Sequence, residues 1–206
     1  MSPIITMTDK GVGFAEIGSI RKGAEKKEGD KRPGKDLEYF RVEFNEGEDE
    51  AEKLFANHYP DEPKLLDILL PFNEIGRCWD AWYEAYLAGA MIARADGEIY
   101  IYQRNHETGE VLVNNGLDEN TGRPKLFRKE DVVATWENKK KEEVPVTCKP
   151  VGRLRVILPV LQRLAFLTLH TSSIHDIINI SQQLEGIRKI NDGILVGIPI
   201  VMKRVP

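Results

Sequence analysis

The chain has 206 residues, of which 41% are hydrophobic and 30% charged. That is enough apolar material for a sizeable core and too much for a disordered chain. Its two cysteines, Cys78 and Cys148, stand far apart, which excludes a zinc ribbon, a redox pair and a secreted disulfide framework. The net charge of −4 conceals an asymmetry: residues 21–35 carry seven basic and three acidic groups, residues 36–110 six and eighteen, residues 111–148 seven of each, and residues 149–206 eight and three. Basic ends suit nucleic acid or an acidic surface, and an acidic middle repels phosphate; a solvated acidic helix beside basic loops is the plainer reading of the same run.

Ile4 to Ile20 reads as a strand-rich start punctuated by Gly11, Gly13 and Gly18. Gly23 to Gly34 contains Lys26, Lys27, Lys31, Arg32 and Pro33 with almost no apolar residue, so it reads as a charged loop. Leu37 to Phe44 alternates, with Leu37, Tyr39, Arg41 and Glu43 on one face and Phe40, Val42 and Phe44 on the other, a strand pattern. Glu46 to Tyr59 is expected to be helical: acidic residues crowd its first turn, Ala51, Leu54, Phe55 and His58 share a face, and Pro60 and Pro63 stop it. Leu65 to Leu70 reads as a short buried strand.

Asn73 is expected to cap a second helix in which Ile75, Trp79, Trp82, Tyr83, Tyr86 and Leu87 form one apolar stripe, ended by Gly89. Strands follow at Met91–Arg94 and Ile99–Tyr102, and the turn at His106–Glu110 leads into Val111–Val113 as a hairpin. Asn114 to Lys125 is turn-rich, Val132 to Trp136 reads as a strand, and Lys139 to Glu143 as an exposed charged stretch. Residues 96–148 are read as a hairpin-containing insertion. Gly152 to Leu161 alternates, with Arg153 and Arg155 opposite Leu154 and Val156; Leu164–Leu169 reads as a strand. Ser172 or Ser173 caps a helix running to about Ile190, with Ile174, Ile177, Ile178, Leu184 and Ile187 on its face, and Ile194–Met202 is the last strand. The expected fold is one α+β domain over residues 1–206: a mixed, mainly antiparallel sheet with two or three packed helices and a β-hairpin excursion. Ending at Pro206 directly after an apolar strand fits a natural end or a fragment of a longer protein. The start of the chain lacks a charged-then-apolar signal and no apolar run nears about 18 residues, so a cytoplasmic protein without a membrane span is expected.

The chemistry-bearing candidates are few. Gly11-Val12-Gly13 with Gly18 departs from dinucleotide-loop spacing and precedes no helix. Asp118 to Glu130 misplaces the glycine and the last carboxylate of a calcium loop. His170, His175 and Asp176 lack a third neutral metal ligand. Thr171, Ser172 and Ser173 join a strand to a helix start, where backbone N–H groups favour anions; the alternative is a capped helix in which Ser173 and Asp176 satisfy each other's backbone. Trp79, Trp82, Tyr83 and Tyr86 are read as core, while Tyr39, Tyr100 and Tyr102 are better placed for stacking on bases. Asn179-Ile180-Ser181 lies inside an expected helix and is dismissed as a glycosylation site. No catalytic triad, paired carboxylates or cofactor motif emerges, so no cofactor and no metal is expected.

Two stretches carry a resemblance. Gly18-Ser19-Ile20-Arg21-Lys22-Gly23, followed by Arg32-Pro33-Gly34-Lys35-Asp36-Leu37-Glu38-Tyr39-Phe40-Arg41, and then Cys148-Lys149-Pro150-Val151-Gly152-Arg153-Leu154-Arg155-Val156-Ile157-Leu158-Pro159, resemble the recombination directionality factor-like proteins of phages and related mobile elements. Leu70-Pro71-Phe72-Asn73, Trp79-Asp80-Ala81-Trp82 and Ala93-Arg94-Ala95-Asp96-Gly97 fit the same layout. The resemblance implies a non-enzymatic accessory factor that acts on a large serine integrase bound to DNA and turns it from integration toward excision. The implied partners are a serine integrase or another DNA-processing protein, with DNA met directly or through it. The expected contact residues are Arg21, Lys22, Arg32, Lys35 and Arg41, with Arg153 and Arg155 behind them, and Thr171, Ser172 and Ser173 as anion-binding candidates. The competing readings are a metal-dependent phosphate-ester hydrolase using Thr171 to Asp176, a nucleic-acid-binding phage protein, and an interaction protein whose acidic middle meets a basic partner.

Overall fold

The computed structural model describes residues 14–25, 35–137 and 141–205. The expectations placed on Gly11, Gly13, Arg32, the lysines from Lys26 to Lys31, and Lys139 with Lys140 lie outside the described residues. In chain order the elements are β1 (Ala15–Gly23), β2 (Asp36–Phe44), α1 (Asp49–His58), β3 (Leu65–Ile68), α2 (Ile75–Cys78), β4 (Trp79–Leu87), β5 (Ala90–Ala95), β6 (Tyr100–Arg104), β7 (Val111–Asn114), β8 (Leu117–Asp118), β9 (Val132–Glu137), β10 (Glu143–Thr147), β11 (Lys149–Val156), β12 (Ala165–Thr171), α3 (Ile174–Ile190) and β13 (Ile200–Lys203). The class is α+β, a mixed and mostly antiparallel sheet structure with few helices. The residues group into two compact units, one of Met1–Trp79, Arg153–His170 and Gln182–Pro206, the other of Asp80–Gly152 and Thr171–Ser181. The hairpin-bearing stretch 96–148 lies within the second.

In the first unit the strand order is β2-β1-β12 and then the second half of β11. β1 runs antiparallel to β2 and parallel to β12. Successive side chains on a strand point to opposite faces. Ile20, Phe40, Leu154, Val156, Leu167 and Leu169 are accordingly buried, while the residues between them are polar. α1 sets Phe55 edge-on to Phe44 of β2, ring centroids 5.9 Å apart. Its start has no side-chain cap, and Asp49, Glu50 and Glu52 face the positive end of the helix dipole there.

β1 and β2 approach too closely for a side chain at one position. A Cβ on Gly18 would stand 2.2 Å from the Glu43 carbonyl oxygen and 3.0 Å from the Phe44 Cα, beside a register shift between Glu16 and Gly18. The last strand is shorter than its apolar sequence suggests. Ile200–Lys203 pairs antiparallel to β3, Val196 makes a single parallel bridge to Leu70, and Gly197 at φ 76° turns the chain between them. Asn73 does not cap a helix. Its Oδ1 accepts from the backbone N–H groups of Leu195 and Val196, each at 3.0 Å, and fastens that turn over buried Leu70 and Leu195.

In the second unit β4 to β8 form an antiparallel meander. The expected helix over Ile75–Leu87 is a single turn, Ile75–Cys78, followed by the strand Trp79–Leu87. The sequence WDAWYEAYL satisfies both periods. Read by threes and fours it gives a helical stripe; read by twos it places Tyr83, Ala85 and Leu87 on one face and Asp80, Trp82, Glu84 and Tyr86 on the other. The aromatic residues favour the pleated surface, and the first set packs into the core with Ile92, Ala93, Tyr100, Val113 and Phe127. β9 pairs with β10, a strand that the charged sequence around it conceals.

Two glycine substitutions separate crowding from flexibility. Gly18→Ala is expected to lower unfolding free energy by about 1–3 kcal/mol, the range for forced overpacking. Gly186→Ala, in α3 with open space around its Cβ, is expected to raise it by about 0.5–1 kcal/mol. Urea denaturation of both variants checks the pair; an unchanged Gly18→Ala midpoint contradicts the crowding.

Candidate functional site

The polar face of the first unit's sheet follows from its register. Arg21 on β1 lies opposite Arg41 on β2. On the other side Ile20 is paired with Leu169 in the parallel neighbour, so His170 continues beside Arg21. β11 follows β12 in the sheet, and the charges of Arg21 and Arg153 both act on His170. Arg41, Arg21, His170 and Arg153 therefore form a row across four strands. Burial, above all, and then the two guanidinium groups hold the His170 imidazole below its ordinary pKa; Glu16 pulls the other way.

The row is not uniformly basic. Glu43 accepts from Ser19 Oγ at 3.3 Å and from Arg21 Nε at 3.4 Å, and it pairs with Arg41 Nη1. Arg41 Nε also donates to the Gly23 carbonyl at 3.2 Å. Thr168 Oγ1 donates to Glu16. Arg155, two residues beyond Arg153 on the same strand face, donates from Nη1 to the Arg77 carbonyl at 2.8 Å. The Arg77 guanidinium in turn lies 3.8 Å from the centroid of the Phe72 ring, which stacks on Phe14 at 5.7 Å. Four of the expected contact residues, Arg21, Arg41, Arg153 and Arg155, thus share a half-exposed face that also carries carboxylates.

Lys22 does not join them. As the next residue after Arg21 it faces the other way, where burial first, and Arg204 second, lower its pKa against the opposing pull of Asp36. Arg204 itself is buried, holds Asp36 at 2.6 Å and donates from Nε to the Leu37 carbonyl at 2.9 Å. Lys35 is exposed just before β2, its carbonyl accepting from the Ala24 N–H at 2.8 Å. Sequence reasoning did not single out Arg77 and Arg204, because a lone arginine next to a helical turn or a chain end carries no motif.

Thr171, Ser172 and Ser173 open α3. Thr171 Oγ1 donates to Asp176 at 2.7 Å and accepts from the Ser173 N–H at 3.2 Å, and Ser173 Oγ accepts from the Asp176 N–H at 3.3 Å. The hydroxyls of Thr171 and Ser173 thus serve a reciprocal cap in which Asp176 supplies the negative charge at the helix start; Ser172 is exposed. Tyr100 is buried, with its hydroxyl donating to Asp131 at 3.2 Å, so it belongs to the core; Tyr39 and Tyr102 are half-buried. Cys148 is buried in the second unit, its thiol pushed up to about 12 by burial and then by Asp131 and Glu84. Among the described residues no group of three His, Cys, Asp or Glu side chains is placed to hold a metal ion. No helix among them is long and apolar enough to cross a membrane.

The sequence matches the Gp3-like family, described as recombination directionality factor-like, over residues 17–206, a span that includes β11, β12 and all four arginines of the shared face. The chain belongs to this recombination directionality factor-like family. Family membership gives it an accessory role in DNA recombination and relates it to phage proteins. No curated protein and no solved structure matches it.

The environment of His170 in this recombination directionality factor-like chain sets a pH dependence. Its folded pKa lies below its unfolded one, so the unfolded state binds the proton first and acid favours unfolding. Stability is expected to fall as pH drops below the ordinary imidazole value toward the lower folded one, and to be unaffected by this group above it. Thermal melts across that window should show His170→Gln losing part of the acid sensitivity; an identical pH profile for the variant contradicts the reading.

Proposed function

We propose that the chain is a non-enzymatic accessory factor that binds a serine integrase on DNA and controls its direction, reaching DNA chiefly through that partner. The observation that carries this reading is the family match over residues 17–206. The mixed charge of the Arg41–Arg21–His170–Arg153 row supports the emphasis on a protein partner. A face built for phosphate alone gains from every uncompensated cation, whereas Glu43 already engages Arg21 and Arg41 here. Exposed ion pairs are worth only about 0–1 kcal/mol, so these arginines exchange partners at little cost. Carboxylates beside them repel phosphate and suit a protein surface of both signs. Arg21, Arg41, Arg153 and Arg155 are the contact residues of this proposal, with Lys35 at the edge and Arg32 outside the described residues.

Fluorescence anisotropy of a labelled attachment-site duplex, with and without the serine integrase of the same element, tests the proposal. Alone, the chain is expected to leave the duplex largely unbound at moderate salt. Added to the integrase–DNA complex it is expected to raise the anisotropy further. The triple variant Arg21→Ala/Arg41→Ala/Arg153→Ala, checked for its fold by circular dichroism, should weaken that step by about tenfold, as loss of a few central contacts does. Steeply salt-dependent binding to DNA without integrase, or an undiminished step with the folded variant, overturns it.

A further inference from the structure

The second unit carries a groove that the arginine face does not explain. On the β9–β10 hairpin the cross-strand pairs Ala134–Val146 and Trp136–Val144 point the same way. Ala134 is buried and Val146 packs beside it in the core, but one pair further out Trp136 is 43% exposed. Across from it on β4, Tyr86 is 46% exposed. Tyr86 is turned outward because its strand neighbour on the same face, Glu84, is fully buried and anchored: Arg94 donates to Glu84 from Nη2 at 2.7 Å and Nε at 3.0 Å, and the Tyr86 hydroxyl donates to it at 2.9 Å. The two aromatic rings border a groove of about 800 Å3 that Leu87 and Val146 also line.

The charge along this groove has a direction. Glu107 and Glu137 stand on its lining beside His106, and among the described lining residues there is no lysine or arginine. A smaller hollow of about 430 Å3 shares Tyr86, Trp136 and Val146 and continues to Lys149. Aromatic walls with two carboxylates in the same lining attract an apolar segment that carries arginine or lysine, by hydrophobic contact, cation–π stacking and ion pairing together. The same carboxylates repel the phosphates of a nucleic acid stacking on Trp136.

We propose that this groove docks a basic, apolar peptide segment of a protein partner, its cationic residues over Glu107 and Glu137. The inference rests on the accessory-factor reading above and adds a second contact surface to it. Tyr86 and Trp136 are the apolar anchors, and Glu107 and Glu137 select the sign of the charge.

The test uses the full chain and synthetic twelve-residue peptides of alternating leucine and arginine, with a leucine–glutamate counterpart and a labelled single-stranded oligonucleotide as controls. The arginine peptide is expected to bind at least about tenfold more tightly than the glutamate peptide. Either Tyr86→Ser/Trp136→Ser or the exposed charge reversal Glu107→Lys/Glu137→Lys should reduce that affinity about tenfold. The second variant keeps the test decisive if the first fails to fold. Preference for the glutamate peptide or the oligonucleotide, no binding of the arginine peptide, or unchanged affinity in folded variants overturns the proposal. Capture of the serine integrase separates the two readings. A wild-type chain that fails to capture it contradicts the accessory role, while the peptide titrations decide the groove. Capture by the wild type that both folded variants match removes the groove as the contact.

Discussion

The close approach of β1 and β2 at Gly18 is the constraint on which the first unit's surface chemistry depends. With no Cβ there, the Glu43 carbonyl and the Phe44 backbone lie directly against β1. The register that results puts Glu43 opposite Ser19 and Arg41 opposite Arg21. Alternation then does the rest. Because Ile20, Phe40, Leu167 and Leu169 must be buried, Arg21, Arg41 and His170 are left on the opposite side. A one-residue slip would exchange the two sets, so burial of the apolar face also specifies where the arginines stand. The face is therefore a consequence of core formation.

The second unit solves a related problem with a buried charge. Glu84 is fully buried on the face of β4 that the core does not use, and its carboxylate is compensated by Arg94 on the neighbouring strand and by the Tyr86 hydroxyl. A carboxylate in that position is costly unless it is paired and hydrogen-bonded, and removing one partner costs more than the pair contributes. The arrangement holds the Arg94 guanidinium 5.3 Å from the Trp82 ring centroid and keeps the Tyr86 ring at the surface. Packing on one side of β4 and ion pairing on the other thus present an aromatic residue to solvent, where a hydrophobic core alone would draw it in.

Much of this was legible in the sequence. The strand at Leu37–Phe44, the acidic-headed helix after it, the hairpin at Tyr100–Val113 and the capped helix from Ile174 to Ile190 all follow from period, capping and turn chemistry. The family resemblance was legible as well, in the motifs around Arg21 and Arg153. Trp79–Leu87 reads as a helix from sequence because its apolar residues fit periods of both two and 3.6, and pairing with β5 selects the strand. Arg21 and Lys22 look equivalent as neighbours in a basic stretch, yet on a strand they face opposite ways. Asn73 reads as a helix cap, but a segment far along the chain supplies better-placed donors at Leu195 and Val196. The groove at Tyr86 and Trp136 was not legible, because it needs two strands widely separated in sequence and the hidden partner strand β10.

On the proposed reading two surfaces serve for contact: one face of mixed charge and one aromatic groove with two carboxylates in its lining. The central claim is that such contact redirects a recombinase rather than performing bond chemistry. The most direct measurement is a reconstituted reaction of a serine integrase from the same element on paired attachment sites, scored for integration and excision products with and without the chain. The account predicts that adding the chain shifts the products toward excision while integrase remains absolutely required. A product ratio that does not respond to the chain, or strand cleavage by the chain without integrase, would contradict it.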